Sequence, residues 1–294
     1  MARFVILWTL VLLVFWPNTA LAQKRVALVI GNGNYQNVPQ LPNPTRDAEA
    51  VANLLRIKAG FDIVHVHNDL RSQDFMLALR AFKKVAEGAD IALVFYAGHG
   101  MQIGDENYMI PVDAKVLRED DVKEEAISLE RILEALKPAK RRLVFLDADR
   151  DNPFQSRAHP PVATMKPSHA GYGDTLIAYA TEAGSHAQDG EGHHSPFTTA
   201  LLKHLGEPGL DIRRALRRVR DDVRTSTQGQ QEPFFEGLGA ENLSLVTKPP
   251  VRAYPPGHAP TCMPGYQRNS IGECMRLGDY GSMRPPLTPR LPRR

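Results

Sequence analysis

The chain has 294 residues, enough for one large α/β domain with an appendage or for two average domains. Its apolar fraction of 43% and charged fraction of 23% are those of a globular protein and not of a disordered chain. A net charge of +3 gives no strong field for nucleic acid, and two cysteines exclude a disulfide-dense scaffold or a four-cysteine zinc site. We therefore expect a packed core and no nucleic-acid partner.

The N-terminal segment has the pattern of a secretory signal. Arg3 gives a positive start, an apolar run extends from Phe4 to Trp16, and Ala20 and Ala22 are the small residues that a signal peptidase reads. The run is shorter than the ~18 residues that a membrane-spanning helix needs, which favours cleavage after Ala22 over an uncleaved anchor. We expect a periplasmic or secreted protein with no stable membrane span after cleavage.

Strand and helix patterns alternate through the rest of the chain. Continuous apolar runs predict buried strands, and apolar residues at helical spacing predict amphipathic helices. The predicted strands are 25–30, 61–66, 91–96, 143–146, 175–180 and 243–246. The predicted helices are one capped by Asn43, one carrying residues 75–86, one over 129–136 behind Ser128, and two over 195–205 and 212–224. The stretch from 97 to 126 is predicted to be irregular.

This alternation predicts an α/β fold with a mostly parallel central sheet and helices on both faces. The composition changes after Lys248, where prolines become frequent and apolar periodicity ends. The predicted organisation is a signal peptide over 1–22, one domain over 23–247 and an irregular proline-rich tail over 248–294. In an oxidising compartment Cys262 and Cys274 would pair, and the short loop they close would contribute ~3 kcal/mol.

Polar residues follow two of the predicted strands. Gly98-His99-Gly100 follows the third strand, where glycines let the backbone turn and present an imidazole suited to proton transfer. An acidic segment from Asp147 to Phe154 follows the fourth strand. Because ligands bind at the carboxyl ends of strands in open α/β sheets, these two loops are the predicted functional site.

These segments together resemble the bacterial caspase-like domains of the caspase and metacaspase superfamily. The resemblance is carried by Ala27–Asn32, Asn43-Pro44 with Asp47-Ala48, Val94–Gly100, Asn107–Ala114 and Leu146–Phe154. It implies a caspase-hemoglobinase fold and a peptidase of the C14 type with a His-Cys dyad, working without a metal or other cofactor. The dyad histidine falls on His99, and the position of the cysteine is occupied by Asp149.

Aspartate at position 149 changes the chemistry that the resemblance implies. A carboxylate attacking an amide would form a mixed anhydride, and the adduct would collapse backwards because the amine is a far worse leaving group than the carboxylate. We therefore expect an inactive homologue in which Asp149 pairs with His99 and raises the pKa of the imidazole. The alternative is a weakly active endopeptidase that cleaves after basic residues with an unusual or externally supplied nucleophile.

The resemblance also implies a peptide-binding groove. Relatives that prefer basic residues before the scissile bond carry an acidic residue two positions before the cysteine, and Asp147 matches it. Asp147 would bind an Arg or Lys side chain of a peptide or protein partner, or else satisfy backbone donors within its own loop. Asp174, Tyr179 and Thr181 lie around the fifth strand, where relatives build part of the groove. The oligomeric state has no signal in the sequence.

Two further polar clusters have simpler interpretations. His186, Asp189, Glu191, His193 and His194 share one loop, but their spacing matches no defined zinc template and favours a solvated loop. The helix over 212–224 is basic on one face, which is typical of an exposed surface.

Overall fold

The computed structural model describes residues 23–104, 106–116, 118–148, 173–190, 192–237, 242–248, 262–268 and 274–276. The chain divides into two compact units, Met1–Lys248 and Pro249–Arg294. The predicted signal segment lies outside the described residues. No helix within the described ranges is both long enough and apolar enough to cross a lipid bilayer.

A six-stranded sheet forms the centre of the first unit, counted over the described residues. The strands of this unit are β1 (Arg25–Gly31), β2 (Ile63–Asn68), β3 (Ile91–Ala97), β4 (Gly100–Ile103), β5 (Glu106–Met109), β6 (Ile127–Ser128), β7 (Arg141–Asp147), β8 (Thr175–Tyr179) and β9 (Phe234–Glu236). The central sheet has the order β2-β1-β3-β7-β8-β9, and all of its pairs are parallel except β8 with β9. Every residue of β3 is buried, as expected for a central strand covered on both faces.

Helices cover both faces of this sheet. They are α1 (Pro44–Asn53), α2 (Ser72–Val85), α3 (Glu119–Glu125), α4 (Leu129–Leu136), α5 (Pro196–His204) and α6 (Ile212–Ser226), and a π-helical turn over Leu54–Lys58 extends α1. Phe95 packs in a core with α1, α5 and α6, whereas its neighbour Tyr96 packs in a second core with α2 and α4. Successive side chains of a strand point to opposite faces, so one apolar strand contributes to both cores. The predicted α/β fold is confirmed.

The prediction of an irregular stretch between residues 97 and 126 was wrong. β4, β5 and α3 lie in this stretch, and β4 and β5 form a small antiparallel sheet with β6, which follows directly after it. Tyr108, Ile110 and Val122 bury their side chains in a separate small core. These strands have only two to four residues, which is too short for an apolar period to be recognised.

The predicted strand over 243–246 was also wrong. Leu243 and Leu245 do bury their side chains, which explains the apolar signal. The backbone pairs with the loop before α6 instead of with the sheet, because Ile212 donates to the carbonyl of Leu243 and Gly209 to that of Val246, both over 2.7 Å.

Two predicted helix caps are absent. Asn43 and Ser128 precede α1 and α4, but neither side chain makes a capping hydrogen bond. The Nδ2 atom of Asn43 donates to the carbonyl of Asp189 over 2.6 Å, so this side chain ties α1 to a distant loop.

The second unit contains a small hairpin among its described residues. Strands β10 (Tyr266–Arg268) and β11 (Cys274–Arg276) pair in antiparallel fashion. Cys262 and Cys274 are joined by a disulfide.

Candidate functional site

The ends of β3 and β7 lie side by side at the carboxyl edge of the sheet. Ala97 is the register partner of Asp147, and the N–H of Gly98 donates to the carbonyl of Asp147 over 3.1 Å. The chain turns sharply at Gly98, which has a φ of 150°. A Cβ at this position would lie 2.5 Å from the hydroxyl of Tyr35, so only glycine fits the turn that presents His99.

His99 is half-buried and its ring is oriented by a backbone carbonyl. The Nε2 atom lies 2.8 Å from the carbonyl oxygen of Pro39. Because a carbonyl only accepts hydrogen bonds, Nε2 donates in this contact and carries a proton. The contact therefore fixes the orientation of the imidazole.

Two buried tyrosines hold the backbone of His99 in place. The His99 N–H donates to the hydroxyl of Tyr35 over 2.7 Å, and the hydroxyl of Tyr96 donates to the His99 carbonyl over 2.7 Å. The rings of Tyr35 and His99 lie 4.6 Å apart between centroids. These contacts fix the loop from both sides of the peptide group.

Asp147 is the last residue of β7, and its side chain is 7% exposed. The carboxylate oxygen Oδ2 accepts a hydrogen bond from the hydroxyl of Ser195 over 2.5 Å and another from that of Thr198 over 2.7 Å. Both donors belong to the first turn of α5, where Ser195 is the N-cap residue. Asp147 therefore accepts two side-chain hydrogen bonds from the start of α5.

A cavity of about 70 Å³ opens beside Asp147. Three carboxylates line it, those of Asp47, Asp147 and Asp189, together with Ser195, Gln188 and several apolar residues or glycine. No arginine or lysine is among the described residues that line this cavity. The part of the cavity wall that the structure describes is therefore acidic.

Burial raises the pKa of Asp147 to about 7, and the negative charge of Asp47 raises it as well. The hydrogen bonds from Ser195 and Thr198 act in the opposite direction because they favour the ionised carboxylate. The protonated and ionised forms of the Asp147 carboxyl are therefore close in free energy near neutral pH. A cation in the cavity would favour the ionised form.

Asp47 is the second buried carboxylate and is 1% exposed. Its Oδ1 atom lies 2.7 Å from Nδ1 of His194, and its Oδ2 atom accepts from the N–H of Ser195 over 3.3 Å. Burial raises the pKa of Asp47 to about 7, and the negative charge of Asp189 acts in the same direction. The hydrogen bond from the N–H of Ser195 and the positive charge of Arg46 act in the opposite direction. Burial lowers the pKa of His194, and the positive charge of Arg46 lowers it as well.

The structure does not bring all of the predicted groove residues to this cavity. Asp174 precedes β8 at the opposite end of the sheet, where Nε of Arg141 donates to its carboxylate over 3.0 Å. Tyr179 is buried, and its hydroxyl donates to Glu236 on β9 over 2.5 Å. Thr181 is buried just after β8. Asp149, the predicted replacement for the nucleophile, lies outside the described residues.

The histidine-rich loop does not converge on a metal site. Among the described residues, no group of three His, Cys, Asp or Glu side chains is placed to hold a metal ion. His193 and His194 have ring centroids 5.4 Å apart, and His194 contacts Asp47 instead. Glu191 lies outside the described residues.

Sequence reasoning missed the functional context of three residues. Asp47 lies on the buried face of α1 with Ala48 and Val51, and an aspartate within an apolar helical stripe is a signal that could have identified it. Ser195 precedes a proline at the start of α5, which is the signature of an N-cap. Tyr35 lies in a loop where no periodic signal exists.

Comparison with known proteins places this geometry in a family. A family model described as the caspase domain matches residues 24–241. The human mucosa-associated lymphoid tissue lymphoma translocation protein 1 is 37% identical over 94 residues, and its mouse homologue is 36% identical over 94 residues. Those residues make up 32% of this chain but 11% of each relative, so the chain spans about a tenth of the length of these curated relatives.

A solved structure shows the same fold. The crystal structure of caspase-1 from Spodoptera frugiperda superposes with a TM-score of 0.56 over 77% of this chain and 91% of that one, at 19% sequence identity. The shared architecture accords with the parallel sheet and the two covering helix layers. Because the family model covers most of the sequence, this chain belongs to the caspase domain family.

Proposed function

We propose that this chain is a caspase-like protein whose acidic cavity binds the Arg or Lys side chain of a peptide or protein partner, and that it has no cysteine-type endopeptidase activity. The observation that carries the first part is the cavity of about 70 Å³ lined by Asp47, Asp147 and Asp189. A guanidinium group can form two parallel hydrogen bonds with a carboxylate, which suits it to a buried acidic site. An ammonium group would supply the same charge with less geometric selectivity.

The absence of peptidase activity is supported by the cysteine count. The sequence contains two cysteines, and Cys262 and Cys274 are joined to each other in a disulfide, so the oxidised chain has no thiol to act as a nucleophile. Asp149 stands where the resemblance implies the nucleophile. A carboxylate there would not complete amide cleavage, because its adduct expels the carboxylate more readily than the amine.

Export from the cytoplasm is part of the same proposal. The signal-like segment over 1–22 supports it, and so does the disulfide, because such bonds persist in oxidising compartments. Mass spectrometry of the N-terminus of the natural protein tests this point. A chain that begins at Gln23 is the expected result, and a chain that retains Met1 would contradict it.

The binding proposal is tested with a matched pair of peptides. A short fluorescent peptide with one arginine at its carboxyl end is compared with the same peptide carrying citrulline, which has nearly the same shape but no charge. We expect the wild-type protein to bind the arginine peptide at least about tenfold more tightly, since an ion pair in a partly dry site contributes more than about 1.4 kcal/mol. Fluorescence anisotropy at pH 8 measures both dissociation constants.

Two variants locate the binding. Asp147→Asn should remove the preference for arginine, because it removes a charge from the cavity wall and keeps an oxygen for Ser195 and Thr198. Asp174→Asn is the matched control, since it removes a carboxylate at the opposite end of the sheet, and it should keep the preference. Equal affinity of the wild-type protein for both peptides would overturn the proposal.

A further inference from the structure

Ser195 connects both buried carboxylates of the acidic cavity. Its hydroxyl lies 2.5 Å from Oδ2 of Asp147, and its N–H donates to Oδ2 of Asp47 over 3.3 Å. The same hydroxyl oxygen accepts from the N–H of Thr198 over 2.9 Å and so caps α5. Ser195 is 2% exposed and also lines the cavity, so one small residue contacts Asp47, Asp147 and the cavity.

The direction of the hydrogen bonds is fixed by the partners. A serine hydroxyl has one proton and two lone pairs, and one lone pair already accepts from Thr198. The hydroxyl proton is therefore directed to Oδ2 of Asp147, which also accepts from the hydroxyl of Thr198. An oxygen that accepts two hydroxyl protons favours the ionised carboxylate.

We propose that Ser195 is a positioning residue that favours the ionised carboxylate of Asp147 and aligns it with the cavity, and so lowers the pH above which the cavity binds a cationic side chain. The binding part of this inference rests on the proposed function. The effect on the ionisation of Asp147 does not, because it concerns the protein without a ligand.

The surrounding charges explain why such a donor is needed. Asp47 and Asp189 both disfavour a negative charge on Asp147, and burial disfavours it further. The positive charge of Arg46, on α1, lowers the pKa of Asp47. His194, in the loop before α5, contacts the carboxylate of Asp47 through Nδ1. The opposing contributions come from the hydroxyls of Ser195 and Thr198. Of these two donors, Ser195 also contacts Asp47 and is among the described residues that line the cavity.

The direct test is a titration of the Asp147 carboxyl carbon by ¹³C NMR in the protein without a ligand. We expect Ser195→Ala to move the midpoint upward by about one pH unit, since a hydrogen bond to a charged group stabilises that form by an amount of this order. Ser195→Gly should give the same shift, and because glycine replaces serine at an N-cap with little loss of stability, it keeps the test valid if the alanine variant fails to fold. Asp211→Ala is the matched control. It removes the N-cap of α6, where the carboxylate accepts from the backbone N–H groups of Arg213 and Arg214, and it should leave the midpoint of the Asp147 titration unchanged.

The second readout is the pH profile of arginine-peptide affinity. In Ser195→Ala and Ser195→Gly the rise in affinity with pH should shift upward by the same amount as the carboxyl midpoint, and the affinity at pH 9 should approach that of the wild-type protein. An unchanged carboxyl midpoint would overturn the inference, as would a uniform loss of affinity at every pH. A wild-type protein that binds no arginine peptide would contradict the proposed function alone, because the carboxyl titration still decides the role of Ser195.

Discussion

His204 of α5 and Asp222 of α6 are joined by a contact of 2.8 Å between Nε2 and Oδ2. The other ring nitrogen, Nδ1, lies 3.0 Å from the carboxylate of Glu207, and the ring is 5% exposed. Carboxylates accept hydrogen bonds, so the ring can satisfy both partners only by donating from both nitrogens. His204 thus connects two helices that cover the same face of the sheet.

This contact predicts a specific loss of stability in acid. The hydrogen bond from His204 holds the pKa of Glu207 below its usual value. Hydrogen bonds from Lys203 and, to a smaller extent, from His204 lower the pKa of Asp222. Lowered carboxyl pKa values stabilise the fold above the usual range near pH 4, and this contribution is lost as the pH falls through the lowered values. His204→Leu should therefore reduce the free energy of unfolding more at pH 5 than at pH 3.

Urea unfolding at the two pH values measures this difference. His65→Leu, at an exposed position of β2, is the control and should have a small effect at both. An equal loss at pH 5 and pH 3 for the His204 variant would show that packing, and not the charged contacts, is responsible.

Tyr35 is predicted to stabilise the turn that carries His99. Tyr35→Phe removes the acceptor of the partly buried His99 N–H and leaves the ring in place. A fully buried donor without its partner costs about 1–3 kcal/mol, so for this half-buried position the free energy of unfolding should fall by about 1 kcal/mol. Denaturant unfolding measures it, with Tyr266→Phe, an exposed tyrosine, as the control. A change as small as that of the control would contradict this role.

Asp147 is predicted to reduce stability at high pH when the cavity is empty. Its pKa is raised to about 7, so the folded state holds a proton between about pH 4 and 7 that the unfolded state releases. The stability that this proton contributes is present below the usual carboxyl range and is lost as the pH rises through about 7. Asp147→Asn should be more stable than the wild-type protein by about 1 kcal/mol or more at pH 8.

Thermal unfolding across pH 4 to 8 measures this effect. The advantage of Asp147→Asn should shrink steadily as the pH falls and vanish near pH 4. A variant that is less stable than the wild-type protein at pH 8 would contradict the argument. The same variant is used in the binding test, where it is expected to lose the preference for the arginine peptide.

The sequence predicted the central sheet well because burial of a strand on both faces leaves an uninterrupted apolar run. The run over 91–96 and the strand Ile91–Ala97 agree to within one residue. The predicted strand over 61–66 is displaced by two residues from Ile63–Asn68, because β2 lies at the edge and its polar histidines blur the pattern. For the segment over 243–246, the prediction of buried side chains was right and the prediction of a strand was wrong. A local pattern does not specify which backbone a segment pairs with.

The site was only partly predictable for a related reason. His99 and Asp147 follow apolar strands, and the strand ends are visible in the sequence. Their partners come from elements far along the chain: Ser195 is 48 residues from Asp147, and Tyr35 is 64 residues from His99. Such contacts depend on the tertiary arrangement of α1, α5 and the loop after β1, which single-sequence patterns do not contain.

The predicted pair between His99 and Asp149 is tested by NMR. Because Nε2 of His99 donates to Pro39, a carboxylate at position 149 would act on Nδ1 and favour the protonated ring. The pKa of His99 should therefore lie above that of an unpaired histidine and fall in Asp149→Asn. An unshifted or lowered pKa of His99 in the wild-type protein would reject the pair.

The most direct measurement of the central claim is hydrolysis of arginine-ended fluorogenic peptides by the mature protein, by Asp149→Cys and by Asp149→Cys with His99→Ala. We predict no cleavage above background by the wild-type protein, measurable cleavage by the cysteine variant, and its loss when the histidine is also removed. Cleavage by the wild-type protein that disappears in His99→Ala would contradict the account, because a nucleophile other than a cysteine at position 149 would then be at work.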